Sequence, residues 1–293
     1  MAGYTAGLTM SAKNLGPLGE CSKPAVSPVN IRPMEPSRIC VPLMPLATDF
    51  RRALDTVREF GVGGIEVDGR HGIELLNLTD TGIRQIRKWL DDVGLRVAAV
   101  AFPTRGGYAD EERLEARVSA TKRALSQAWR LGAPVVLGRL GEIPASDTPA
   151  WQLLIDVLTD IGRASQQAGS IFCAEASQAS PEELLRVLSA VPAGSLQVDL
   201  VTGGLLVHGH DPTAAAAMLA ADVGFVHATD AMPGAFAGHG RAVPLGTGQV
   251  DLLPVLATLE ERGYRGWVGL EATSTGRAEV AAELEAAVAW LRQ

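Results

Sequence analysis

PAWQLLIDVLTDIGRASQQAGSIFCAE, residues 149–175, reads as one full cycle of helix, turn and strand. Residues 149–168 carry a helical pattern, and Gly169 follows where a left-handed C-cap is wanted. The apolar run Ser170–Ala174 reads as a short buried strand, and it ends on an acid, Glu175. An apolar strand that delivers a carboxylate at its carboxyl end is the unit from which the rest of the chain is read.

The same cycle recurs on both sides. Further strand candidates are Ile39–Leu43, Gly64–Val67, Arg96–Ala101, Pro134–Gly138, Leu196–Val198, Gly224–Val226 and Trp267–Leu270. They lack strict alternation, as strands buried on both faces should. Helices are predicted near 49–60, 80–93, 111–131, 181–190, 212–221, 251–262 and 277–291. Asp49, Thr79, Ser180, Asp211 and Asp251 stand at N-cap positions and Pro181 and Pro212 in first turns, while Gly61, Gly94, Gly132 and Gly263 follow helix ends. Eight strands, each followed by a helix, predict an α/β fold, a single-domain (β/α)8 TIM barrel over 39–293. A doubly wound sheet is the alternative, but no G-x-G-x-x-G opens a helix after the first strand.

Residues 1–38 are rich in Gly, Pro, Ser and Asn without periodicity and are expected to be a disordered extension, with Met34 a candidate start of the ordered protein. They lack the basic and apolar regions of a secretory signal. No apolar run of about 18 residues predicts a membrane span. Cys21, Cys40 and Cys173 are too widely spaced for a framework and read as reduced thiols, so a cytoplasmic location is expected. The net charge of −7 and absence of a basic stripe argue against nucleic acid as a partner. A small-molecule substrate is expected, and a homo-oligomer is allowed.

In such barrels the chemistry sits at the carboxyl ends of the strands. Strands five to eight end on Glu175, Asp199, His227 and Glu271. Neighbouring strands lie about 4.8 Å apart, so these four side chains can converge. Three carboxylates brought together repel unless a cation sits among them. The set suits one divalent metal ion, Mn2+ or Mg2+ first, with Co2+ and Zn2+ also admissible. Taken singly, each residue has a plainer reading: a loop acid, an Asx-turn, a satisfied core histidine. Their coincidence on consecutive strands is what favours the metal.

Residues 39–293 resemble the sugar phosphate isomerase/epimerase family, the xylose-isomerase-like TIM barrels. The matching stretches are FGVGGIE (60–66), AWRLGAPVV (128–136), VD (198–199), VHATD (226–230), PLGTGQVD (244–251) and RGYRGWVGLE (262–271). The resemblance implies that Glu175, Asp199, His227 and Glu271 bind the metal. It also implies proton transfer next to a carbonyl through a metal-stabilised enediolate, with Glu175 and Glu271 as base and acid on a carbohydrate substrate.

Arg241, in the long connection after strand seven, lies where family members place a substrate-facing Arg. Glu66, Arg105, Arg139 and Asp230 also face the expected mouth, with a solvated or structural pairing as the plainer reading of each. Family epimerases of free ketoses carry a His three residues after the strand-six Asp; here Thr202 stands there, so His208 or His210 is left to make that contact. An isomerase or epimerase of a sugar, sugar phosphate or cyclitol is expected. A lyase or dehydratase begins with the same proton abstraction and is the alternative. A DNA-repair endonuclease of the endonuclease-IV type would need three zinc ions and further His ligands, which strands three and four do not provide. A catalytically silent barrel would bind no divalent ion.

Overall fold

The computed structural model describes residues 34–47 and 49–293. In chain order the first half comprises β1 (Ile39–Pro42), α1 (Phe50–Phe60), β2 (Gly64–Asp68), α2 (Asp80–Val93), β3 (Arg96–Ala101), α3 (Leu114–Leu131), β4 (Val135–Gly138) and α4 (Pro149–Ala168). The second half comprises β5 (Ile171–Ala176), α5 (Pro181–Ala190), β6 (Gln197–Val201), α6 (Thr202–Val207), α7 (Pro212–Leu219), β7 (Val223–Ala228), β8 (Asp230–Met232), β9 (Arg241–Val243), α8 (Leu252–Glu261), β10 (Val268–Leu270) and α9 (Arg277–Leu291). Strands β1 to β7 and β10 pair in parallel and close into a barrel, β10 returning to β1. The (β/α)8 reading holds.

Local chemistry accounts for the ends. Asp49, Thr79, Ser180 and Asp211 accept backbone N–H bonds at the starts of their helices, and Ser180 with Glu183 forms a reciprocal capping box. Asp251 makes no such bond. Gly61, Gly94, Gly132, Gly169 and Gly263 all take positive φ.

Three features depart from the sequence reading. Helix α6, six residues with two glycines, and the antiparallel β8–β9 pair, three residues a strand, are too short for periodicity to reveal. The barrel also begins earlier than residue 39. Met34 is buried and its N–H donates to Leu291 O (3.1 Å), while Arg38 pairs with Glu260 (2.9 Å) and donates to Gly266 O (3.1 Å). These contacts tie residues 34–38 to the barrel, so they are no part of a disordered extension. Residues 1–33 lie outside the described residues.

The barrel interior is layered. Cys40, Leu137, Cys173 and Phe225 form an apolar cluster with Ala98, Ala99 and Val135, closed by partly buried Trp267. Residues two apart on a strand face the same way, so Arg139, Glu175 and His227 stand one layer above Leu137, Cys173 and Phe225. The opposite parity, including Val136, Phe172, Ala174, Val198 and Val226, joins the core under the helices. A dry floor therefore lies beneath a polar upper layer. Gly269 makes this possible on β10, because a Cβ there would come within 2.8 Å of the Phe225 ring and 3.3 Å of His227 Cδ2.

Candidate active site

The upper layer concentrates the acids. Glu175 and Asp199 are register partners on β5 and β6, and His227 follows on β7. These residues lie inside their strands rather than at the last position, and Glu271 is the first residue past β10. The barrel ladder is irregular between Ile65 and Glu66 on β2 and between Val198 and Asp199 on β6. A bulge re-aims the side chain beside it, and each of these sits at a carboxylate of the site.

His227 is the hub. Its Nδ1 lies 2.9 Å from both oxygens of Asp199, and its Nε2 lies 2.7 Å from Glu66 Oε2 and 3.7 Å from Glu271 Oε1. The Phe225 ring meets the imidazole edge-on, with centroids 4.9 Å apart. Asp199 and His227 are buried, at 2% and 5% exposure. Burial pulls the His227 pKa down, but the charges and hydrogen bonds of Asp199 and Glu66 overcome it and carry it well above the usual histidine range. Burial raises the Asp199 carboxyl; His227 opposes, and Glu66 and Glu175 add to the rise. Glu271 is also raised, first by burial; His227 opposes, and Glu66, Asp199 and Glu175 add to the rise.

Glu175 is held at both oxygens: Arg139 Nε donates to Oε2 (2.7 Å) and Ser177 Oγ to Oε1 (2.6 Å). Beside it a cavity of about 730 Å3 opens between the ends of β4, β5 and β6, lined in part by Arg139, Glu142, Glu175, Ser177 and His208. Ser177 was not singled out in the sequence. It lies two residues beyond Glu175, so the strand's period of two was the available signal.

The other expected substrate contacts divide. Glu66 joins the cluster through His227 rather than pairing with Arg105. Arg139 meets Glu175. Of the two histidines offered in place of one at position 202, His208 lines the cavity, and His210 is not among its lining residues. Arg105 is exposed and contributes only its carbonyl, to Arg117. Arg241 is exposed on β9 opposite Met232, with no ion pair among the described residues. Asp230 is a correction. It is 3% exposed and both its oxygens are spent on backbone N–H groups, Oδ1 on Ala231 (2.8 Å) and Val250 (3.0 Å), Oδ2 on Gly246 (3.0 Å) and Gly248 (2.7 Å). The anion gripped by the Gly246–Gly248 turn is therefore the protein's own. Thr202 is likewise structural: its hydroxyl donates to Thr229 O (2.6 Å) and accepts from Thr229 N (3.0 Å).

As the side chains stand, no three His, Cys, Asp or Glu groups among the described residues surround a common point at metal-ligand distance. The His227 ring lies where the acids converge instead. The donor chemistry nevertheless fits a divalent ion. Four carboxyl groups (Glu66, Glu175, Asp199, Glu271) gather around one histidine and one arginine, an acid-rich donor set that a divalent ion would suit. Hard oxygens plus one imidazole are the ligands such ions take.

A model of the xylose isomerase-like TIM barrel family matches residues 54–293. The chain belongs to that family. A Streptomyces coelicolor protein assigned provisionally as a hydroxypyruvate isomerase is 27% identical over 213 residues, covering 64% of this chain and 72% of that protein. The crystal structure of a xylose isomerase domain protein from Planctomyces limnophilus superposes with a TM-score of 0.77 at 22% identity, covering 89% of this chain and 96% of that one. A xylose isomerase-like TIM barrel protein from Mycobacterium smegmatis, solved in complex with magnesium, gives a TM-score of 0.69 at 19% identity, covering 87% and 96%. At these identities the two structures establish the fold alone. In this xylose isomerase-like chain, no helix among the described residues is long and apolar enough to cross a membrane.

Proposed function

We propose that this protein is a divalent-metal-dependent isomerase or epimerase acting on a sugar, sugar phosphate or cyclitol by proton transfer next to a carbonyl. The observation that carries the reading is the concentration of acids at the strand ends, three carboxyl groups on a buried histidine and a fourth, Glu175, held by Arg139 at the rim. The magnesium of the Mycobacterium smegmatis structure and the isomerase assignment of the Streptomyces coelicolor relative support it.

Glu175, Asp199, His227 and Glu271 would hold the ion, Mn2+ or Mg2+ by the hardness of the donors. When bound, the ion supplies Lewis-acid polarisation of the substrate carbonyl. The chain's own groups do the rest. Arg139 and Ser177 fix both oxygens of Glu175 before substrate arrives, and a pre-oriented base saves the entropy of finding its geometry. Glu175 takes the proton from carbon, and Glu271, from β10 on another side of the mouth, returns one. The apolar layer of Cys40, Leu137, Cys173 and Phe225 shuts water out from below. The cavity beside Glu175 has room for a polyhydroxylated substrate, with Ser177 and His208 as hydroxyl partners.

The test is to load the purified protein with Mn2+ and incubate it with keto sugars and keto-inositols in D2O. Deuterium at the carbon next to the carbonyl, with every substrate oxygen kept, is expected. An enone product would move the assignment to a lyase or dehydratase. Failure to take up any divalent ion, with no exchange into any substrate, would overturn the proposal.

A further inference from the structure

Glu66 lies on β2, across the barrel from β7, and 161 residues separate it from the ring it touches. Its Oε2 is 2.7 Å from His227 Nε2, and the two side chains are only 15% and 6% exposed. The β2 ladder breaks its register at Glu66, which turns this carboxylate toward the axis. Nothing on β10 braces the imidazole laterally, because residue 269 is glycine and leaves the Cδ2 edge open. The ring is thus suspended between two carboxylates, Asp199 at Nδ1 and Glu66 at Nε2, with Phe225 at its edge.

We propose that Glu66 is the positioning residue for His227: by accepting the Nε2–H it fixes the ring's rotation and keeps Nδ1 turned to Asp199, so that this nitrogen is the one offered to a divalent ion. A ring nitrogen's availability is set by the hydrogen bond its partner nitrogen makes. Glu66 then acts through His227 and touches neither ion nor substrate. The inference rests on the metal reading above only for which ion His227 serves; the hold on the ring is a property of the metal-free protein.

Two measurements test it, on the wild type, Glu66→Leu and the near-isosteric Glu66→Gln. The first is a calorimetric titration with Mn2+. Loss of an outer carboxylate on a ligating histidine weakens metal binding by about 10–100-fold, the expectation for Glu66→Leu, with Glu66→Gln, which keeps an acceptor oxygen, between it and wild type. The second is the 1H–15N spectrum of histidine-labelled, metal-free protein, with His227→Gln to assign the resonance. A slowly exchanging Nε2–H is expected in wild type and its loss in Glu66→Leu; should that variant not fold, Glu66→Gln is expected to move the resonance. Mn2+ affinity within about twofold of wild type for the folded variants would overturn the proposal and return Glu66 to a substrate contact. An unmoved Nε2–H in the variants would overturn it whether or not metal binds. A wild-type protein that binds no Mn2+ would instead sink the metal reading, and the spectra would still decide whether Glu66 holds the ring.

Discussion

Asp230→Asn should weaken the fold more than any surface change. In the native protein each Asp230 oxygen accepts two backbone N–H groups, from Ala231, Val250, Gly246 and Gly248. An amide keeps one oxygen and replaces the other with an NH2, which cannot accept, so two of the four N–H groups face a donor. A hydrogen bond to a charged group contributes about 1.5–3 kcal/mol, so two of them represent roughly 3–6 kcal/mol before relaxation. The segment that must relax is the connection from β8 to α8, and local opening to admit water returns part of the loss. The net cost is about 2–4 kcal/mol, and with a urea slope near 3 kcal/mol/M the unfolding midpoint should fall by about 1 M. Gly248→Ala tests the same clamp from the other side, because a Cβ there would overlap the Asp230 carboxylate and crowd Ala231 O. The double variant should cost less than the sum of the two, since both break one network. An Asp230→Asn midpoint within about 0.2 M of wild type, at unchanged slope, would refute this account and return Asp230 to the mouth as a free carboxylate.

Two further outcomes follow from the same structure. Mn2+ at a hundredfold over its dissociation constant should stabilise the wild type by about 2.7 kcal/mol, a rise in melting temperature that chelator abolishes, while Asp199→Asn should show little of it; equal stabilisation of both would place the ion elsewhere. Glu283 on α9 accepts from Thr273 N (2.8 Å), Thr273 Oγ1 (2.9 Å) and Ser274 N (3.0 Å); burial nudges its carboxyl up, but these bonds prevail and hold it below the usual glutamate range. A depressed folded pKa stabilises above the unfolded pKa of about 4.3 and loses its effect as pH falls through the folded value, so wild type should exceed Glu283→Gln in stability at neutral pH and converge with it in acid. A gap that stays constant down to acid pH would show that the carboxylate's charge has no part in holding the loop.

The fold was legible because many of its units repeat the same kinds of physical signal. Helix caps, first-turn prolines and C-terminal glycines are local choices that no distant residue has to approve, and eight strand-and-helix units favour a closed barrel over a doubly wound sheet. Strand parity was legible too, as Cys173 and Glu175 or Phe225 and His227 must share a face once the strand is granted. What escaped was set by pairs far apart in sequence. Nothing near Asp230 says that its carboxylate will be surrounded by N–H groups 16 to 20 residues on, and a buried acid clamp and a substrate ligand look alike in one dimension. Arg241 was out of reach for a related reason: its place on β9 is decided by its pairing with Met232, not by its own neighbours.

The candidate site shows how charge completes what spacing begins. Four strand-end residues on consecutive strands raised the question of a cation, and the folded chain adds a fourth carboxylate, Glu66, from the far wall. That addition makes the case for a divalent ion stronger and harder at once. It deepens the negative charge that an ion would neutralise, yet it occupies His227 Nε2 while Asp199 occupies Nδ1, so an ion can reach the ring only by displacing one of them. Asp199 is the one to yield, because it is itself a donor in the proposed site and can move from proton to ion without leaving its place, whereas Glu66 approaches from across the barrel and has only the imidazole to hold. Mn2+ binding should accordingly release protons when the protein is titrated in buffers of differing ionisation enthalpy, because the ion takes the place of the proton held between His227 Nδ1 and Asp199; release of none would refute displacement at this pair.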